Sequence, residues 1–316
     1  MLPEQIIALT MGDPAGIGPE ITAKVLTGTD IFHWCRPVVV GNRKVLERAC
    51  EVCGLKNVFE NRRLSFDFVE VEVGDTQFGK FSANGGRAAF DFIAKATDLC
   101  LSGKAKAMVT APINKEALRL AGVDFIGHTE ILAGLTNSVD PLTMFYVKGL
   151  KVFFLTRHVP FSKISSLCTE ERIFEYIVRC TEYLKGLNGC DKPFAVAALN
   201  PHAGDSGLFG EEEKNAIYPA IVRAKGAGIN VEGPVPADSV FHMALNGTFS
   251  GVLSLYHDQG HIATKTLDFE KTIAVTYGLP FLRTSVDHGT AFDIAGTGTA
   301  SEKSLAEAFR VVAELI

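Results

Sequence analysis

The stretch AMVTAPINK at residues 107–115 sets a short apolar run against a polar turn that leads into a helix-like segment. The same figure recurs along the chain. IIALT (6–10) runs into MGDPAGIGPE, and KVFFLT (151–156) runs into Arg157-His158. FAVAAL (194–199) leads into Asn200-Pro201-His202-Ala203-Gly204, and GVLSLY (251–256) into His257-Asp258-Gln259-Gly260. PVVVG (37–41) and TMFYV (143–147) are two more runs of the type. Runs this short, β-branched or aromatic and bounded by turn residues, read as buried strands. Between them GPEITAKVL, GGRAAFDFIAKATDLCLSG and EERIFEYIVRCTEYLKGL repeat apolar residues at helical spacing. This alternation predicts a mostly parallel α/β sheet covered by helices on both faces. In such sheets functional loops leave the carboxyl ends of strands. The polar clusters stand at those ends.

Composition narrows the classes. The 316 residues are 47% hydrophobic and 21% charged, as in an ordinary globular enzyme of one large domain or two lobes. With a net charge of −5 and no Lys/Arg run, the chain lacks the basic stripe a nucleic-acid partner requires. No apolar run approaches the roughly 18 residues that span a bilayer. The N-terminus, acidic at Glu4 and without a basic start, does not read as a signal peptide. Seven scattered cysteines fit buried, reduced thiols in a cytoplasmic protein, and the Cys50/Cys53 pair has no second pair to complete a zinc site. No repeat, low-complexity tract or Gly/Ser linker interrupts the chain.

His158, His202 and His257 each stand at or near the end of an apolar run, followed by a turn. Three imidazoles converging from separate loops suit a divalent ion such as zinc, with positions left open for substrate; isolated hydrogen-bonding histidines are the alternative. His33, His242 and His261 read as surface or core residues. Asp258 adjoins His257, and Asp238 lies in the turn-rich GPVPADSVF; each is a metal-site or substrate carboxylate, or a turn cap. Gly127-His128-Thr129-Glu130 opens a helix-like run, and a helix N-terminus with a His and a Thr can hold a phosphate, or Thr129 is a plain cap. Lys265 and Arg283 are cations beside strand-like sequence, a setting that calls for a partner such as a bound anion. The small residues from Asp287 to Gly296 would let a ligand approach the backbone. GDPAGIGPEI is neither a Walker A loop nor a GxGxxG fingerprint, and reads only as a tight strand-to-helix turn.

Taken in order, GDPAGIGPEI, GHTE, RHVP, NPHAG, YHDQG and GLPFLRTSVDHGTAFDIAG resemble the 4-hydroxythreonine-4-phosphate dehydrogenase family of pyridoxal phosphate biosynthesis over nearly the whole chain. The resemblance implies an isocitrate/isopropylmalate dehydrogenase-like three-layer α/β/α fold with two lobes and the active site in the cleft between them. One lobe would comprise 1–125 with 285–316 on the nucleotide side. The other, 126–284, would carry metal, substrate and the dimer contact. It implies a homodimer whose metal ligands, His158, His202 and His257, are shared between subunits, with zinc foremost and magnesium, manganese or cobalt as alternatives. It places substrate and its phosphate on His128, Thr129, Lys265 and Arg283. HGTAFDIAG also resembles the adenosine loop of isopropylmalate dehydrogenases, which assigns His288, Gly289, Thr290, Ala291, Asp293 and Ile294 to the cofactor. A carboxylate at Asp293 accepts from a ribose 2′-hydroxyl and repels a 2′-phosphate, so NAD is expected over NADP.

One position departs. Many members carry an Asn where this chain has Ala274, which removes an amide able to bond substrate. The expected reaction is metal- and NAD-dependent oxidation of 4-phosphooxy-L-threonine, then decarboxylation to 3-amino-2-oxopropyl phosphate, with Asp258 and Lys115 as candidates for the base. A sister branch acts on 4-phospho-D-threonate or 4-phospho-D-erythronate, and another on cyclic diols. A non-redox transferase of the same fold is the rival of another class, and a metallohydrolase a further one.

Overall fold

The computed structural model describes residues 5–28, 30–185, 187 and 190–316. Eleven strands form among them: β1 (Ile6–Thr10), β2 (Arg36–Gly41), β3 (Asp67–Glu70), β4 (Ala107–Thr110), β5 (Leu142–Val147), β6 (Leu150–Phe154), β7 (Phe194–Ala197), β8 (Val231–Val235), β9 (Gly251–Ser254), β10 (Ile273–Tyr277) and β11 (Leu282–Val286). The first six α-helices are α1 (Gly18–Thr27), α2 (Ile31–Trp34), α3 (Arg43–Val52), α4 (Ala83–Leu101), α5 (Lys115–Leu120) and α6 (His128–Thr136). The rest are α7 (Ile164–Leu167), α8 (Glu170–Leu184), α9 (Tyr218–Gly226), α10 (Ala237–Leu245), α11 (His257–Leu267) and α12 (Lys303–Leu315). All seven runs read from the sequence are strands, and this is the mixed α/β fold expected. None of these helices is long and apolar enough to cross a membrane.

The chain divides into two compact units, 1–141 with 273–316, and 142–272. His128, Thr129 and Arg283 lie in the first unit. In the first unit the strand order is β3-β2-β1-β4-β11-β10. All of its neighbours run parallel except β10 and β11, a hairpin. In the second unit the order is β5-β6-β9-β7-β8, parallel except for the β5–β6 hairpin. Lys148 and Gly149 close that hairpin with φ of 49° and 90°, the two-residue turn that matches strand twist. The sheet is thus mixed, with two antiparallel pairs the apolar runs did not announce.

Local chemistry starts the helices. Asn42, Ser82, Asn114 and Thr169 cap α3, α4, α5 and α8, each accepting from a first-turn amide. Helix α8 buries Ile173, Ile177, Cys180 and Leu184 along one stripe. The core of the first unit closes over Phe92, Ile93 and Phe309, and that of the second over Phe153 and Phe194, all fully buried. Each such side chain contributes about 1.5–3 kcal/mol by leaving water. The cysteines are free thiols; burial pushes Cys35, Cys100 and Cys168 up to about 12, which makes them inert packing groups.

Candidate active site

In the first unit, β4, β10 and β11 bring Thr110, Thr276 and Arg283 together. Arg283 is 4% exposed. Its Nε and Nη2 donate to the Thr110 hydroxyl at 3.0 and 2.7 Å, and Nη1 donates to Thr276 at 3.2 Å. Burial pulls the guanidinium down to about 9, against the field of Glu130, so it remains charged at neutral pH. Two neutral hydroxyls do not neutralise a buried cation. His128 opens α6, whose N-cap Gly127 supplies no side-chain bond to the free amides. Its Nε2 is shielded from water and has no partner. Burial first, then Arg283, holds the imidazole well below its ordinary value, against a bond to the Ala111 backbone. An uncapped helix start beside a buried cation is an arrangement that can receive an anion.

The loop from Asp287 to Gly298 follows β11. Thr290 is buried within it, Ala291 turns with φ 41°, and Asp293 is exposed. His288 Nδ1 lies 3.0 Å from the Gly289 carbonyl, and the Ile294 amide donates to Ala291 at 3.1 Å. Lys115 is exposed at the start of α5, with no ion pair among the described residues.

In the second unit, His158 and His257 lie with ring centroids 6.0 Å apart. Imidazole nitrogens sit about 2.0–2.1 Å from zinc, so two rings sharing a tetrahedral ion would stand roughly 5 Å apart by centroid, somewhat closer than this pair. His257 Nδ1 meets Asp258 Oδ1 at 2.6 Å, which fixes the ring and leaves Nε2 for an ion. Gln259 anchors the start of α11: it accepts from the Leu255 amide at 2.8 Å and donates to the Ala198 carbonyl at 2.8 Å.

His202 does not complete the pair, because the described residues contain no cluster of three metal-binding side chains within one chain. Its ring neighbour is Phe209 at 6.4 Å. It stands in a run of left-handed residues, His202, Ala203, Gly204, Asp205 and Ser206, with φ between 42° and 79°. Each non-glycine residue there costs about 1–2 kcal/mol. Glu213 offsets this: buried, it accepts from the amides of Leu199 and Asn200 at 2.9 and 2.7 Å and from the Asn200 side chain at 2.9 Å.

Asp238 is exposed in the first turn of α10. Lys265, in the last turn of α11, lies 5.1 Å over the Phe269 ring. His261, read as unremarkable, packs 4.1 Å from the His257 ring and against Phe145 and Phe154. The signal was present: HDQGH sets the two histidines one helical turn apart. Glu213 carried no comparable signal, since its partners are mainly backbone amides.

Fold and residues define a two-unit α/β protein, with a buried arginine and the start of α6 in the first unit and a histidine pair in the second. The comparisons narrow this. The family of pyridoxal phosphate biosynthetic protein PdxA matches residues 33–312, and the chain belongs to that family. A relative from Clostridium botulinum, provisionally named D-threonate 4-phosphate dehydrogenase, is 51% identical across 98% of this chain and 96% of its own length. One from Fusobacterium nucleatum, under the same name, is also 51% identical with the same coverage. The crystal structure of a 4-hydroxythreonine-4-phosphate dehydrogenase from Klebsiella pneumoniae superposes with a TM-score of 0.90 at 38% identity, covering 99% of this chain and 98% of that one. The chain is accordingly an oxidoreductase, and a dehydrogenase family points to a nicotinamide cofactor.

Proposed function

We propose that the chain uses NAD and a divalent ion to oxidise the C3 hydroxyl of 4-phosphooxy-L-threonine, and that the product then loses carbon dioxide. The observation that carries this is Arg283, a buried cation bonded among the described residues only to neutral hydroxyls, beside an uncapped helix start. A terminal phosphate is the complement it lacks. Arg283, His128, Thr129 and Lys265 would hold that group and so fix C3 for reaction. Asp238 would bond the far end of the substrate. Asp258 and Lys115 are the candidates for taking the hydroxyl proton; the bond of Asp258 to His257 gives it an orienting role as well.

The C3 hydrogen departs as hydride and the hydroxyl proton passes to the base, leaving a β-keto acid. The C1–C2 bond then breaks, carbon dioxide leaves, and the electron pair on C2 takes a proton to give 3-amino-2-oxopropyl phosphate. An ion held by His158, His202 and His257, zinc before magnesium, manganese or cobalt, would supply Lewis acidity to the hydroxyl and then to the enolate oxygen. NAD would supply the hydride acceptor, held by His288, Gly289, Thr290, Ala291, Asp293 and Ile294. Asp293 favours NAD over NADP, because its carboxylate accepts from a 2′-hydroxyl.

We also infer a cytoplasmic homodimer, with one lobe for the nucleotide and the other for metal and dimer contact. Each histidine segment carries exposed apolar side chains: Val159 and Phe161 after His158, Leu208 and Phe209 after His202, and Ile262 on α11 after His257. Such surfaces are characteristic of covered interfaces. They support ligand loops that meet across two subunits.

A second reading is D-threonate 4-phosphate, which differs from the first substrate only by a hydroxyl in place of the C2 amine. The names of the 51% identical relatives favour it, as does Ala274, which offers no amide to that part of a substrate. Its product would be dihydroxyacetone phosphate. The test is NADH formation from both compounds with zinc, magnesium or manganese added, and identification of the three-carbon product. Turnover of the amine at the higher kcat/KM upholds the first reading, and turnover of the diol upholds the second. NADH from neither compound removes both.

A further inference from the structure

The glycine-rich turn after β1 contributes no residue to the receptor or the histidine pair, yet it is built into the loop that follows β11. The Ile17 amide donates to the Thr290 carbonyl at 3.0 Å. Gly16 lies so close to Thr290 that a methyl group there would meet its Cβ at 2.9 Å. One turn into α1, Glu20 is fully buried, and its two carboxylate oxygens accept separately from the amides of Gly296 at 2.5 Å and Gly298 at 2.8 Å. Lys24, one turn further along the same face, donates to the carbonyls of Gly298 at 2.8 Å and Ala300 at 2.5 Å. Gly296 and Gly298 both have positive φ, 83° and 72°, so this stretch is held in a shape most side chains resist.

We propose that Glu20 and Lys24 are positioning residues that preset the loop from His288 to Gly298 for the dinucleotide. A buried carboxylate is costly to desolvate, and its retention where it bonds only loop amides gives it a task beyond packing. The acid fixes the amides, the base fixes the carbonyls, and the loop between β11 and α12 enters binding already ordered. Dinucleotide affinity thereby avoids the entropy of ordering that segment. The inference rests on the reading of this loop as the nucleotide site.

The experiment compares the wild type with Glu20→Gln and Lys24→Met, reading NADH affinity by fluorescence, KM for NAD, KM for the phosphorylated substrate, and exchange of the Gly296 and Gly298 amides. Gln presents a donor where one amide needs an acceptor, and Met removes the carbonyl clamp while leaving the acid in place. Expected are a rise of about tenfold in Kd for NADH and KM for NAD, faster exchange of both amides, and substrate KM and saturated kcat within about twofold of wild type. A wild type that binds neither NADH nor NADPH overturns the nucleotide reading and this proposal with it. A wild type that binds normally, with both variants keeping its KM for NAD or losing every parameter in parallel, overturns the clamp alone.

Discussion

Arg283 grips the hydroxyl of Thr110 with two of its nitrogens, at 3.0 and 2.7 Å, and among the described residues no carboxylate is hydrogen-bonded to the guanidinium. A salt-bridged core arginine would have been satisfied without a ligand. This one is held in place by neutral hydroxyls, which leaves its charge for the proposed phosphate. Arg283→Met should raise KM for the phosphorylated substrate by about a hundredfold, since charge-assisted hydrogen bonds contribute roughly 1.5–3 kcal/mol each. Inorganic phosphate should raise the Tm of the wild type and not of the variant. A variant that keeps both its KM and its stabilisation by phosphate would remove Arg283 from the receptor.

Asp13 gives a prediction of the opposite sense. Its carboxyl is fully buried, bonded at Oδ1 by the Ala15 amide at 2.9 Å, and Oδ2 has no partner. Burial raises it from 3.8 to about 6, with the Ala15 bond opposing. The folded chain therefore holds this proton more tightly than the unfolded one, and stability falls as pH rises through about 4 to 6. Asp13→Asn keeps the acceptor for Ala15 and removes the charge. Thermal unfolding should show the variant more stable above pH 6, by up to about 3 kcal/mol, with the gain vanishing below pH 4. A gain confined to acid pH would refute the argument.

What was legible in the sequence follows from what the physics writes locally. Strands buried on both faces become continuous apolar runs, so β1, β2, β4, β5, β6, β7 and β9 could be read directly. Strand β3 is a half-buried edge with no such run, and β8 is interrupted by Gly233-Pro234. The antiparallel sense of β10 and β11 depends on their turn, where Gly278 has a φ of 87° that composition alone does not reveal. The candidate residues His158, His202 and His257, which follow apolar runs, could be picked out for the same reason as the strands. Glu20, Glu213 and Gln259 could not. Their partners are mainly backbone groups, and Glu20 bonds amides 276 and 278 positions away, which leaves no side-chain pattern to find.

Glu213 should matter to the metal without touching it. Three bonds from this carboxylate hold the chain immediately before the left-handed run that presents His202. Glu213→Gln leaves the side chain in place but turns one acceptor into a donor. Metal affinity, measured by competition with a chromophoric chelator, should weaken by about tenfold, as supporting residues of ligand histidines commonly show. Gly204→Ala should do at least as much, because its Cβ would meet the Glu213 carboxylate at 2.9 Å at a φ of 79°. Unchanged affinity in both variants would detach this turn from the metal.

The histidine geometry predicts complementation between inactive subunits. His158 and His257 form a pair within one chain, and no third ligand joins them among its described residues. If His202 of the partner subunit completes the site, His202→Ala and His257→Ala are each inactive alone. A heterodimer of the two has one site in which every ligand is intact, formed by the His158–His257 pair of the first variant and His202 of the second. Its other site lacks two ligands. Random reassociation puts half of the chains into heterodimers, so mixed and refolded variants should recover about a quarter of wild-type activity and of bound metal. Mixing His158→Ala with His257→Ala should recover nothing, because both belong to the same half of the site. Recovery in the second mixture and not the first would place His158 and His257 on different subunits, and no recovery in either would confine all three ligands to one chain.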